Sequence, residues 1–406
     1  ERQWTKTYFS VTTPKNEDQG RFLYNLFINN DKYDFWSLPK TVDGPAVVMV
    51  CSEYQREFEN NLKVEELPFK VIDSDLSQNL YIPGPIISPR SSYQKAEFNR
   101  YLRALEINDY LDTLALLYPD TVTVENVGNS FEGREIKTIK ISNGDKRPNK
   151  KVIFIDAGIH AREWIAPAAA VYIINQLVEN SDEYRHLLKN FDWIILPLVN
   201  PDGYEYSHDH RRFWRKTRQP FGRGCNGTDG NRNFGFHWGE VGTSSRACDV
   251  MYGGPNAFSE PETRIVRDIM HSVKATCKMY LSLHAYGNYL LYPWGYTSDL
   301  DEVAQSGATA ILYSTGQRYK VGSSTNVLYA AAGGSDDYAH GVVGIPIAIT
   351  MELPRGGSGF DPHPGHILGM VKETWVGIQY YHNTMIPRTN LIKMKNTNTY
   401  IERGLF

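Results

Sequence analysis

The chain has 406 residues, 41% of them hydrophobic and 22% charged, with a formal net charge of −3. That is a globular composition with enough apolar material for a large core. No long basic run offers a footprint for nucleic acid or an anionic membrane, and no stretch approaches the roughly 18 continuous apolar residues of a membrane-spanning helix. The chain begins at Glu1 rather than Met, which is read as a leader already removed.

Residues 1 to about 85 alternate short strands with two helices. Helical spacing covers 16–30 (NEDQGRFLYNLFINN) and 54–67 (YQREFENNLKVEEL), and the apolar run GPAVVMVCS at 44–52 reads as a buried strand. The prediction is a small open α/β sandwich. The segment YIPGPIISPRSSYQK (81–95) is broken by Pro83, Pro85 and Pro89, and its polar Pro89-Arg90-Ser91-Ser92 is expected to be exposed. A domain boundary or a trypsin-sensitive cut belongs there.

From about residue 95 strands alternate with long helices. Strands are predicted at 135–142, 151–157, 192–199, 278–285 and 346–353, several as continuous apolar runs suited to a sheet covered on both faces. Helices are predicted at 164–179, 259–276 and about 365–384, the second opening on a capping-box pattern, Ser259-x-x-Glu262. This is an α/β domain with a mixed, mainly parallel sheet. Residues 388–406 show no period and are expected to form a surface tail.

Four cysteines are too few for a disulfide scaffold. Cys225 and Cys248 flank a Gly-, Asn- and Ser-rich loop, where a bridge would contribute roughly 3 kcal/mol in the chain-entropy model. Cys51 and Cys277 read as buried thiols. Asn226-Gly-Thr228 is a glycosylation sequon beside Cys225.

In open α/β sheets ligands gather at the carboxyl ends of the strands. His160 and Glu163 follow the strand 151–157, His284 ends 278–284, Glu352 ends 346–352, and Asn200 follows 192–199. Catalytic zinc takes three protein ligands and keeps one position for water, and His160, Glu163 and His284 make such a set. An isolated His-x-x-Glu is ordinarily chance or a surface pair, but the converging strand ends outweigh that reading. Glu352, unless it is merely salt-bridged to an arginine, is placed to act as general base beside one zinc ion.

GIHAREWIAPA, FWRKTR, DGNRN, SLHAYG, LYAAAGGSDDY and ITMEL resemble, in order and spacing, motifs of the zinc metallocarboxypeptidases of the pancreatic A/B type. The resemblance covers about residues 95 to 386. It implies a carboxypeptidase-like catalytic domain at 91–387 and, at 1–90, an inhibitory propeptide with a ferredoxin-like fold, released by a trypsin-like protease after Arg90. Residue by residue it implies that Asp229 orients the first histidine ligand and that Arg218 stabilises the oxyanion. It further implies that Arg232 with Asn231 anchors the substrate carboxylate and that Tyr329 closes over it. Arg162, Tyr286 and Phe360 would line neighbouring subsites. Asp336 stands at the base of the specificity pocket, where A-type enzymes carry an apolar residue and B-type enzymes an aspartate, so preference for C-terminal Lys or Arg is expected. The expected pocket wall adds Leu291, Gly295, Ser324, Leu328, Ala331 and Thr350.

Three departures stand out: Ala285 where serine is usual, ELPRGGSGF (352–360) one residue short, and 338–346 one residue long. The resemblance also implies a secreted monomer acting on peptide or protein C termini and open to proteinaceous carboxypeptidase inhibitors. A digestive-type zymogen, a regulatory enzyme of the same chemistry, an A-type enzyme and a catalytically silent peptide-binding homologue remain alternatives.

Overall fold

Residues 6–11, 13–29, 32–38, 45–74, 96–222, 224–293, 298–357 and 359–385 are described by the computed structural model. Arg90, Gly295 and the tail at 388–406 lie outside them.

The N-terminal domain runs β1 (Lys6–Val11), α1 (Glu17–Asn29), β2 (Tyr33–Ser37), β3 (Ala46–Cys51), α2 (Gln55–Val64) and β4 (Phe69–Asp73). Its four strands pair antiparallel in the order β2-β3-β1-β4, the expected ferredoxin-like sandwich. Alternate side chains of a strand face opposite ways. Phe9, Val48 and Val50 pack with Leu23, Phe58 and Leu62 of the two helices. Val47 and Met49 point the other way and are buried with Trp36 against Phe213 and Phe360 of the larger domain. The strand is apolar on both faces because both are covered.

The larger domain continues with α3 (Ala104–Leu117), β5 (Val122–Asn129), β6 (Glu135–Ile141), β7 (Lys151–Ala157), α4 (Ile165–Val178), α5 (Ser181–Leu188), β8 (Phe191–Leu196) and α6 (Pro201–Asp209). Then come α7 (Pro261–Val273), β9 (Cys277–Ala285), β10 (Tyr289–Tyr292), α8 (Ser298–Thr315), β11 (Lys320–Ser323), α9 (Ser324–Val327), α10 (Ser335–Tyr338), β12 (Ile347–Leu353) and α11 (Pro364–Thr384). The eight-stranded sheet has the order β11-β10-β12-β9-β7-β8-β6-β5. Its centre, β12-β9-β7-β8, is parallel, and β10, β6 and β5 join antiparallel. Ile153 and Ile155 of β7 enter the core shared with α4, α8 and α11, while Val152 and Phe154 enter the core under α7. Helices thus cover both faces, as the continuous apolar runs implied.

The start of α7 differs from the sequence reading. Glu260, not Ser259, is its N-cap, and no side chain caps it. The Ser259 hydroxyl donates to Glu260 Oε1 (2.9 Å), and Glu262 Oε1 accepts from the Phe131 N–H (3.1 Å). Tertiary partners have displaced the local capping box. Within 338–346, where an extra residue was expected, the chain forms a π-helical turn, Ala339–Val343, which ends on left-handed Gly344.

Cys225 and Cys248 form a disulfide with Cα atoms 4.8 Å apart. Cys277 is buried as expected, and Cys51 is half-buried. In the sequon, the buried Thr228 donates its hydroxyl to Glu260.

Candidate metal centre and substrate cleft

β7 and β9 are tied together below the site by a buried carboxylate. Asp156 accepts hydrogen bonds from Tyr280 Oη (2.6 Å) and Ser282 Oγ (2.7 Å). After β7 the chain turns at Gly158 (φ +71°), where an added Cβ would come within 2.8 Å of Leu198 Cδ1 and 2.9 Å of Pro167 Cγ. Only glycine fits this turn, which carries His160 and Glu163 over the sheet edge. Asn200, capping α6, holds the turn from the far side by donating Nδ2 to the carbonyls of Ile159 (3.2 Å) and Lys216 (3.0 Å).

His284 ends β9 in register with Glu352 of β12. His160 Nδ1 lies 2.8 Å from Glu163 Oε1, His284 Nδ1 lies 3.1 Å from Glu163 Oε2, and the two Nδ1 atoms are 3.1 Å apart. All three residues are buried, and one ligand atom from each falls within 4.8 Å of the others. Two imidazole nitrogens and a carboxylate converging out of water are costly without a cation between them, and this N,N,O donor set suits zinc. Ala285 departs from the usual serine without consequence here, since its backbone N–H donates to Glu163 Oε2 at 3.1 Å.

The other nitrogen of His160 lies 3.0 Å from Asp229 Oδ1, the outer contact that orients a ligating imidazole. Asp229 Oδ2 accepts from Arg215 Nε (3.0 Å), and Arg215 Nη1 lies 3.6 Å from Glu163 Oε1. Burial opposes the Arg215 charge, but Asp229 and Glu163 outweigh it and hold the guanidinium firmly protonated. Burial likewise pushes the Asp229 carboxyl up, yet Arg215 and His160 leave it well below the usual range.

Here the structure corrects the sequence reading. Arg218, not Arg215, was assigned to the oxyanion, yet Arg218 stacks on Tyr206 (3.6 Å) and Trp214 (4.7 Å), with its Nε 3.7 Å from Glu132. It does not line the cleft; Arg215 does. Both arginines belong to FWRKTR, and the loop turns only the first toward the metal residues.

The cleft is a cavity of about 520 Å³ enclosed between the two domains. Glu352 opens into it, half-buried; enclosure pushes its carboxyl up to about 7, with Glu163 adding to the rise and His284, Arg215 and Arg232 opposing it. Among the described residues Arg232 donates to neutral oxygens: the Gly242 carbonyl (2.8 Å), the Asn231 carbonyl (2.7 Å) and Tyr329 Oη (3.2 Å). Such a guanidinium can receive a carboxylate. Asn231 is fixed beside it, its Oδ1 accepting from Ser335 N–H at 2.9 Å. Asp336 lines the cavity, and among the described residues no Lys or Arg stands within ion-pair distance of it. Burial raises its carboxyl; burial and then the Asp336 charge push Asp337 up to about 8. Leu291, Ser324, Leu328, Ala331 and Thr350 line the same cavity.

The N-terminal domain closes the cleft. Asp34 Oδ2 lies 2.6 Å from Arg162 Nη1, the Trp36 ring stands 5.1 Å from Phe360, and Phe27 stands 4.9 Å from Tyr329.

Comparison with known proteins gives two family matches. Residues 107–377 match the zinc carboxypeptidase family, and residues 11–80 match the carboxypeptidase activation peptide. The chain is 40% identical over 401 residues to a carboxypeptidase B of Helicoverpa zea, covering 92% of each chain. It is 46% identical over 288 residues to a carboxypeptidase B of Astacus astacus, covering 68% of this chain and 94% of that one. The crystal structure of a carboxypeptidase A from Helicoverpa armigera superposes with a TM-score of 0.85 at 32% identity, over 95% of this chain and 98% of that one.

Proposed function

The chain belongs to the zinc carboxypeptidase family and carries that family's activation peptide, and from this premise we propose that it is a secreted zymogen whose activated form removes C-terminal Lys or Arg. The observation that supports the specificity is the buried Asp336 in the cavity lining, with no Lys or Arg among the described residues paired to it. A carboxylate hydrogen-bonded to a substrate ammonium or guanidinium favours it roughly 10- to 150-fold. An A-type enzyme would need an apolar floor, and a silent homologue would lack part of the set His160, Glu163, His284 and Glu352.

His160, Glu163 and His284 would hold one zinc ion per chain, which would supply Lewis acidity and lower the pKa of a water. Arg232, with Asn231, binds the terminal carboxylate and so confines cleavage to the last peptide bond. Tyr329, already hydrogen-bonded to Arg232, closes over that carboxylate. Glu352, with its carboxyl near 7, takes the proton of the attacking water and returns it to the leaving amine. Arg215 takes the oxyanion role first assigned to Arg218. Arg162, Tyr286 and Phe360 line the cleft and hold the residues before the cleaved bond.

Release is assigned to a trypsin-like cut after Arg90, giving a monomeric catalytic domain at 91–387. The uncovered cleft is then also where a proteinaceous carboxypeptidase inhibitor would bind. No described helix is long and apolar enough to cross a membrane.

The test is to treat the full chain with trypsin and assay matched peptides ending in Lys or Phe, with and without a zinc chelator. Chelator-sensitive release of Lys well above Phe supports the reading. Faster release of Phe overturns the specificity but not the chemistry.

A further inference from the structure

The cleft carries opposite charges in different parts. Asp336 and Asp337 line it, and so do Arg162, Lys320 and Arg355. Arg355 is exposed, with its guanidinium carbon 5.8 Å from the centre of the Tyr286 ring. Tyr286 meets Phe360 edge-on at 4.8 Å, and the Arg162 guanidinium lies 4.2 Å over the Phe360 ring. Two rings and two guanidiniums thus make one continuous strip along the wall.

The strip is built rather than incidental. Directly after Arg355 the chain folds back on itself, with Gly356 bridged to Gly359 and Phe360. Gly359 has φ +144°, and a Cβ there would sit 2.5 Å from the Tyr286 ring. The turn that follows Arg355 therefore packs against Tyr286. The N-terminal domain shows what the strip accepts. It seats an acid and an aromatic two residues apart, Asp34 on Arg162 and Trp36 on Phe360.

The last substrate residue is held by Arg232 and Asp336, so the residues before the cleaved bond must run along the remaining wall. We propose that Arg355, beside Arg162, makes this wall a subsite for an acidic side chain, so that preferred substrates carry Asp or Glu one or two positions before a basic C terminus. The proposal rests on the carboxypeptidase reading above. Exposed ion pairs of this kind shift binding by about two- to fivefold and weaken with salt.

The experiment uses the trypsin-treated full chain and peptides ending in Lys, with Glu, Gln or Lys at the penultimate or the preceding position. The order Glu over Gln over Lys in kcat/KM is expected, with Glu ahead of Gln by about two- to fivefold at low salt. That ratio should shrink in about 0.5 M salt and shrink in Arg355→Gln, where Arg162 alone remains. Equal rates for the Glu and Gln peptides in the unaltered enzyme overturn the proposal, as does a Glu preference that is undiminished in Arg355→Gln. A failed carboxypeptidase reading looks different: no peptide of any sequence is cut, and the proposal falls with it.

Discussion

β3 of the N-terminal domain and β7 of the larger domain are both apolar on both faces, but for different reasons. Both faces of β7 are covered by helices of its own domain, so its burial is permanent. The other face of β3 is buried with Trp36 against Phe213 and Phe360 across the domain boundary. The same pattern therefore encodes a core in one place and a removable interface in the other. Chemistry should consequently depend on residues at the ends of β7, β9 and β12, and restraint of that chemistry on residues beside β3.

The largest effect separating the two is expected at the end of β12. Glu352→Gln should lower hydrolysis by about 10²- to 10⁴-fold while metal analysis still finds one zinc per chain. Activity retained in that variant would remove Glu352 from the reaction. Next, Arg215→Ala should cost about 10²- to 10³-fold in kcat, as loss of an oxyanion donor does. Arg218→Ala, which removes only a stack on Tyr206 and Trp214, should cost a small fraction of that; the reverse order would restore the first assignment.

Asp336→Ile should reduce Lys release relative to Phe by roughly 10- to 150-fold, read as the ratio of kcat/KM for matched peptides. The same ratio reports on Asp337. Its carboxyl, pushed up to about 8, keeps its proton below that pH and loses it above, so the floor gains negative charge as pH rises. The Lys-over-Phe ratio is expected to climb through pH 8, and a flat profile would show that Asp337 does not face the bound side chain.

An effect of similar size belongs beside β3. Asp34→Asn removes the charge from a partly buried pair with Arg162, and hydrogen bonds to charged groups contribute about 1.5–3 kcal/mol. Peptide hydrolysis by the full chain before trypsin treatment should rise at least about tenfold. No rise would mean that the aromatic contacts of Trp36 and Phe27 suffice to hold the domain closed.

Central strands and metal residues were legible because buried strands leave long apolar runs, and reactive residues at their ends break those runs abruptly. The edge strands β5 and β11 and the short β10 beside β11 were missed: half-exposed or four-residue strands leave no such contrast. The boundary after Arg90 and the tail lie outside the described residues.

The sequence by itself determined the two-domain architecture and the set His160, Glu163, His284 and Glu352, since these follow from periodicity and strand ends, and it singled out Asp336 only through the resemblance of GGSDDY to the family's motif. Tertiary structure alone decided which arginine of FWRKTR serves the site, what replaces the capping box of α7, and that Asp34 lies on Arg162. In a loop without a period, two arginines three residues apart are equivalent on paper. Arg218 finds aromatic rings to stack on, Arg215 finds Asp229 and Glu163, and only the packed molecule distinguishes those partners.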